Sequence, residues 1–348
     1  MSAEAIVTRV DPNDAAAFDE WFAVWHTTDM EQWPPGPGWQ REERLAMALD
    51  TEGPEEHRPL IAHKGDTAVG NADLQLFRRE NLQLARLEVR VLREHRRRGI
   101  GTALVEAAAG HARDAGRTEL DGMDATPVRD GYVDEAGPFA RHLGFTVVQR
   151  MVRRRLSLPL DDPHADALRR NPKAAPPGYE LVSFWDSWPD EDMEDRCEFG
   201  RRMSTDVPMG DLPLDEEEWD EARVRALEAR IAAQNRSKVI TAARSLASGR
   251  LVAYTEIAVP LGAPESVWQH DTLVVREHRG HGLGFAVKVA NLWALLERQP
   301  EVRALNTWND EENTHMIAVN DEIGFEVVSF SAHWHKRLGL SACACACA

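Results

Sequence analysis

Cysteine is scarce in this chain. Of four cysteines in 348 residues, three lie in the closing stretch SACACACA and only Cys197 stands elsewhere. No CxxC pair and no Cys/His spacing of zinc-ligand type occurs, so no structural metal is expected. No apolar run is long enough to span a bilayer. The opening MSAEAIVTRVDPNDAAAF lacks a basic segment followed by an apolar one, so neither membrane nor secretion signal is expected and the protein reads as cytoplasmic. Basic residues are outnumbered: 41 Lys and Arg against 58 Asp and Glu leave a formal charge of −17. That argues against nucleic acid as main partner, because backbone phosphates need a net basic surface. A small cationic substrate is compatible with such a field.

What is present is a pattern written twice. REHRRRGIGTAL runs from Arg93 to Leu104 and REHRGHGLGFAV from Arg276 to Val287, so Arg96 and Arg279 open equivalent Arg-x-x-Gly-x-Gly loops 183 residues apart. A Gly-Phe step recurs at Phe145 and Phe325, 180 residues apart. Two features at nearly equal spacing indicate a tandem repeat, and the length suits two domains. In each half, alternating strands such as LARLEVRV lead into the glycine loop, an Ala- and Leu-rich helix, a strand, a short helix and a final strand pair, at Phe145–Leu158 and Phe325–Leu338. Hairpins mixed with crossover helices give an α+β class, each half a mixed, mainly antiparallel sheet flanked by helices. The halves are set at 1–158 and 179–340, joined by the Pro-rich linker 159–178 and followed by a low-complexity tail, 341–348.

Each glycine loop stands between a strand and a helix. Backbone N–H groups converge there, and the helix N-terminus adds partial positive charge, which suits a pyrophosphate. Arg96, Arg97 and Arg98 in one loop, and Arg279 and His281 in the other, add charge. A dinucleotide fingerprint does not fit, because the GxGxxG spacing is missing and the loops come late in each half. A P-loop does not fit either, since no Gly-Lys-Ser/Thr follows.

Strand, Arg-x-x-Gly-x-Gly, helix, strand, short helix, Gly-Phe: this order resembles the GNAT acyltransferase superfamily, twice over nearly the whole chain. The resemblance implies acetyl-CoA or another acyl-CoA as co-substrate. Its pyrophosphate would lie on Arg96, Arg97, Arg98, Gly99, Ile100 and Gly101, or on Arg279, Gly280, His281, Gly282, Leu283 and Gly284. Its pantetheine arm would pair with the backbones of Val91 and Leu92, or Val274 and Val275, and Asn309 and Asn313 would touch the arm in the second half. It further implies acyl transfer to a small amine. The RRRGIG loop and two-half plan also resemble the tandem enzymes of the mycothiol synthase type, and a non-catalytic acyl-CoA-binding protein is the alternative from another class.

Direct transfer needs a base for the amine, a donor for the thioester oxygen and a proton source for the thiolate. The resemblance implies a Tyr for the last role, five residues before the Gly-Phe aromatic. Those positions hold Ala140 and Asn320. Asn320 can donate a hydrogen bond but is no acid, and Ala140 can donate nothing, so the second half is expected to carry the chemistry. Aligning the REHR blocks superposes Glu88 and Asp271. Asp271, His270 and Glu256 are the base candidates, with His270 expected on the opposite face from Asp271 because strands alternate. The acidic runs PDEDMEDRCE and DLPLDEEEWDE either favour a cationic acceptor, such as a polyamine or an amino sugar, or are solvated faces of an acidic protein. The sequence is compatible with a monomer of pseudo-twofold halves or a homodimer.

Overall fold

The computed structural model describes residues 5–32, 38–128, 134, 136–161, 163, 166, 168, 175–206 and 214–339. Much of the expected linker and all of the tail from 341 lie outside these. The described residues form two compact units. One holds the chain up to Arg150 and from Ser331 onward, with Leu214; the other holds Met151–Gly210 and Asp215–Phe330. No described helix is long and apolar enough to cross a membrane.

The first unit opens with β1 (Ile6–Arg9), α1 (Ala15–Gln32) and α2 (Arg41–Leu49). Strands β2 (Glu55–Lys64), β3 (Thr67–Phe77) and β4 (Leu84–Val91) follow, then α3 (Ile100–Asp114), β5 (Glu119–Met123), the two-residue β6 (Thr126–Pro127) and α4 (Ala136–His142). Neighbouring strands β1 to β4 pair antiparallel, whereas β4 and β5 pair parallel across the α3 crossover. The sheet is therefore mixed and mainly antiparallel.

The second unit repeats this order. After β7 (Thr146–Ser157) come β8 (Tyr179–Trp185), α5 (Met193–Asp206), α6 (Glu221–Ala233), β9 (Arg236–Ser245), β10 (Leu251–Pro260) and β11 (Ser266–Val274). Then follow α7 (Leu283–Arg298), β12 (Ala304–Asp310), α8 (Thr314–Ile323) and β13 (Glu326–Arg337). Here too a crossover helix, α7, joins two strands that pair parallel, β11 and β12.

The sequence suggests a strand pair at each Gly-Phe step, but each is a single long strand. TVVQRMVRRRLS and EVVSFSAHWHKR contain no Gly, Pro, Asn or Asp to turn the chain. The chain leaves the first unit inside β7, between Arg150 and Met151, and re-enters it inside β13, between Phe330 and Ser331. As a result β5 of the first unit is flanked by His333–Arg337 from the far end of the chain. In the second unit, β12 is flanked by Met151–Ser157. The changeover thus falls before the expected limit at 158, and the last strand is shared.

Core packing shows what this sharing does. Ala332, Trp334 and Leu338 are buried with Leu74, Leu104 and Leu120 in the first unit's core. Asp124 ties the returning strand down, accepting from the Ala332 N–H at 2.7 Å and the Trp334 indole at 2.8 Å. Its burial raises its pKa. In the second unit β10 is buried on both faces. One face meets Trp188, Phe199 and Val224, and the other meets Val289, Leu292 and Leu305.

Lys288 is an exception within that packing. It is 3% exposed, and its ammonium lies 5.4 Å from the Phe325 ring centre. Burial pushes its pKa down to about 7. The unfolded chain therefore holds more protons than the folded one between about pH 7 and 10.4, and stability rises with pH through that window. Lys288→Met should raise stability at pH 7 by about 2–4 kcal/mol, a gain that shrinks towards pH 10 in denaturant titrations. Trp334→Ala should cost about 3–5 kcal/mol, and limited proteolysis should show the first unit cut before the second.

Candidate functional site

In both units the parallel pair opens like a fork. Strands β4 and β5 are in register only from Leu84–Arg86 with Glu119–Asp121. Strands β11 and β12 are in register only from Ser266–Trp268 with Ala304–Asn306. Beyond these residues, the second half of β4 and of β11 presents one backbone edge without a strand partner. An edge of that kind can pair with the amides of an extended ligand.

Alternation decides which residues face the opening, because successive backbone N–H groups of a strand point to opposite sides. Leu92 donates its N–H to the Val69 carbonyl, and Val275 donates to Val252. Both are turned towards the neighbouring strand, contrary to the expectation that they meet the cofactor arm. Val91 and Val274 face the fork. Their carbonyls are already taken, by the Arg96 Nε at 3.0 Å and the Arg279 Nε at 3.1 Å. Arg96 and Arg279 thus fasten each loop to the end of its strand.

The loops themselves have one geometry. A 3₁₀ turn at Arg93–His95 or Arg276–His278 leads to two left-handed residues and then the helix. These are Arg97 (φ +61°) and Gly99 (φ +81°) in the first loop, and Gly280 (φ +80°) and Gly282 (φ +73°) in the second. Arg97 adopts an angle that costs a non-glycine residue about 1 kcal/mol. A Cβ at Gly99, Gly280 or Gly282 would meet nothing within 4 Å, so the space over both nests is open. Ile100 and Leu283 are buried beneath. Tyr179 of β8 donates to or accepts from His278 at 2.9 Å and meets the His281 ring edge-on. Sequence reasoning gave no sign of this support.

The first unit carries a cavity of about 520 Å³ at its loop. Val91, Arg96, Arg97, Gly99, Ile100 and Gly101 line it, with Phe139 and His142 of α4 opposite; Arg98 does not. Beyond Arg90 the interior is filled. Trp25 is sandwiched between the guanidinium carbons of Arg44 and Arg90, each 3.9 Å from its ring centre. Asp73 is buried and accepts from Arg44 at 2.6 Å and pairs with His57 at 2.8 Å. Although burial pushes its carboxyl up, His57 and Arg44 hold it well below the usual range. Glu88 is bound to Arg90.

The second unit differs at the matching place. Strand β3 pairs with β4 without interruption, but β10 and β11 slip by one residue between Thr255 and Ile257. His270 and Asp271 together oppose Glu256, which is a β-bulge. The bulge is pinned: Gln269 Nε2 donates to the Glu256 carbonyl and to Thr255 Oγ1, both at 2.8 Å. Thr255 Oγ1 also lies 3.2 Å from the Asp271 carbonyl and 2.7 Å from Thr272 Oγ1.

The bulge cancels the alternation expected of His270 and Asp271. Both side chains lie in the field of the Lys238–Glu256 ion pair, whose atoms are 2.7 Å apart. Asp271 accepts from Tyr254 Oη at 3.1 Å. Burial and the Glu256 charge raise its pKa. Glu256 is held low, against burial, chiefly by Lys238. His270 reaches solvent, but crowding and the cations Lys238 and Arg236 push it down to about 4, against Glu256. Three neighbouring candidates are thereby separated in proton affinity.

Asn320 is fully buried and donates to Asn309 Oδ1, while its own Oδ1 has no partner. Asn313 caps α8, accepting from the Met316 N–H at 3.1 Å. Ala140 packs against the first core. Arg196 of α5, which the sequence did not single out, lies 4.4 Å from the Trp219 ring centre and 5.9 Å from that of Tyr254. Among the described residues, no group of three His, Cys, Asp or Glu side chains gathers as a metal site would.

Residues 17–145 match the acetyltransferase (GNAT) family. A tandem GNAT protein from the clavulanic acid biosynthesis pathway is 29% identical in sequence, with a TM-score of 0.81 over 97% of this chain and 100% of its own. The first half of this chain thus matches the GNAT family, and the whole chain has the fold of a tandem GNAT protein. Two more distant structures share the fold. A GCN5-related N-acetyltransferase from Sphaerobacter thermophilus is 17% identical, with a TM-score of 0.69 over 96% of each chain. A fungal glucosamine N-acetyltransferase region is 15% identical, with a TM-score of 0.63 over 97% of this chain and 38% of the other. No curated protein matches the sequence. The family match falls on the first half of the chain, although the second half was expected to keep more of the pattern.

If the bulge sets the site, loosening it should affect activity before stability. Thr255→Val removes the hydroxyl that joins Gln269, Thr272 and the Asp271 carbonyl. Acyl-CoA turnover should fall at least tenfold, while the melting temperature drops by no more than about 5 °C.

Proposed function

We propose that this protein transfers an acetyl group from acetyl-CoA to a small amine, and that the second unit performs the reaction. The observation that carries this reading is the bulge at His270–Asp271, which sets a carboxylate of raised proton affinity beside the fork between β11 and β12. The backbone edge of β11 and the nest at Gly280–Gly282 fit an extended pantetheine and a pyrophosphate. Acetyl-CoA supplies the thioester.

Asp271 is the general base in this reading. It takes the proton of the attacking amine, the C–N bond forms, the C–S bond breaks and CoA leaves as the thiolate, which is protonated from solvent. Glu256 is a weaker base because Lys238 holds it ionised, and His270 with a pKa of about 4 is weaker than an ordinary imidazole. Asn309 lies on β12 past the point where the two strands part, and Asn320 donates to it. The first unit binds acyl-CoA in its cavity without turnover, because Asp73, Arg44, His57 and Trp25 fill the place where an amine would stand. Both units work in one chain, in the cytoplasm, without metal.

Asp271→Asn should lower kcat by 10²- to 10⁴-fold with little change in acetyl-CoA binding. Activity in the wild type should fall with acid pH, with a midpoint above the ordinary aspartate value. Titration calorimetry with acetyl-CoA should give two sites. Gly284→Asp should remove one site together with turnover, and Gly101→Asp should remove the other while turnover persists. Equal loss of turnover in both variants would overturn the division of labour.

A further inference from the structure

One face of the second unit's sheet carries a row of side chains that the reaction above does not use. The register runs directly across five strands: Lys238 on β9 opposes Ala258 on β10, Ala258 opposes Trp268 on β11, Trp268 opposes Asn306 on β12, and Asn306 opposes Arg155 on β7. Side chains in one register row of a sheet share a face. One step along the strands lie Glu256, the bulged His270–Asp271 pair, Trp308 and Arg153. The face therefore presents acids at β10 and β11, two tryptophans next, and two arginines on β7.

The parts of this face are built with care. The Trp268 and Trp308 rings lie 4.9 Å apart at 36°, with the Arg153 guanidinium 5.6 Å and 5.4 Å from their centres. Arg153 is buried and donates to Asn306 Oδ1 at 2.7 Å. Asn306 in turn donates to Ser266 Oγ and the Val267 carbonyl. This network holds a rigid aromatic floor. Arg155 is the exception. It is half-buried, its Nε is shielded from solvent without a partner, and no described residue makes an ion pair with its guanidinium. A guanidinium that has no counter-charge, with its Nε out of contact with water, is suited to an incoming anion.

The acidic residues Asp192, just before α5, and Asp195 and Glu198 within it do not compete for it. Asp192 is paired with Arg244, Asp195 with Arg250, and Glu198 with Arg201 and Arg202. These carboxylates serve internal pairs.

We infer that the acceptor is an amino acid or short peptide whose amine meets Asp271 and whose carboxylate meets Arg155, its body lying over Trp268 and Trp308. This rests on the placement of the reaction in the second unit. At the Trp268 row the β11 and β7 strands are two strand spacings apart, about 10 Å, and Asp271 lies three residues, roughly a further 10 Å, along β11 where the fork has opened; the arginine side chain closes part of that span. An extended ω-amino acid of about six carbons, or a dipeptide, is the kind of body that bridges the remainder. A single planar fork suits a monoanionic carboxylate, which it can hold through two parallel hydrogen bonds.

The test uses 6-aminohexanoate and its amide, 6-aminohexanamide, which differ only in the anionic end. Quenching of tryptophan fluorescence gives the binding constant of each without turnover, and thiol release from acetyl-CoA gives kcat/KM. The acid should bind at least tenfold tighter than the amide. Arg155→Gln should abolish that preference, and Arg155→Lys should retain part of it, with acetyl-CoA binding as the control for folding. Equal binding of acid and amide, or a preference that survives Arg155→Gln, overturns the inference. An Arg155-dependent preference for the acid without any thiol release upholds the carboxylate site and overturns the transferase reading of this unit.

Discussion

The interaction on which the rest depends is the short pairing of two parallel strands that then part. Three residues of register hold β11 to β12, and the same number hold β4 to β5. Past that point each strand keeps hydrogen bonds on one side only. The opening is stable because the following residues are fastened elsewhere: Arg96 and Arg279 seize the last carbonyl of the strand, and a buried Ile100 or Leu283 anchors the helix that starts beyond the glycine nest. Opening, nest and helix are one local solution, and the chain uses it twice.

The two copies diverge in what surrounds the opening. In the first, continuous pairing of β3 with β4 leaves the carboxylate Asp73 beneath arginine and histidine, a closed ionic core with its charges matched. In the second, one extra residue in β11 turns two polar side chains towards one ion pair and leaves Asp271 with more affinity for a proton than its neighbours allow Glu256. A bulge adds one residue and changes the chemistry of a surface without changing the fold. The tandem form permits this, since one copy can retain binding while the other is altered.

Much of this was legible in the sequence. The Arg-x-x-Gly-x-Gly spacing and the Gly-Phe steps encode backbone angles and helix starts, which are local, so the repeat and both loops could be read from the residues in order. The bulge was not legible, because HDTLV looks like an ordinary alternating strand; the slip depends on Gln269, Thr255 and Thr272 meeting across strands. The roles of Leu92 and Val275 required knowing which way each N–H points. Arg155 was invisible for the same reason: in the run RMVRRRLS its direction follows from pairing with Asn306, a residue more than a hundred positions away. Asp124 could be noticed but not interpreted without its partners in β13.

The returning strand has a bearing on how this protein is made. Residues 331–337 complete the sheet of the first unit, yet they leave the ribosome after every residue of the second. Throughout synthesis β5 has an open edge, and the pocket for Trp334 beside Leu120 and Asp124 stays unfilled. Open edges invite pairing with other chains. A nascent first unit is thus a template awaiting its last strand, and fast growth or heat would burden it most before translation ends.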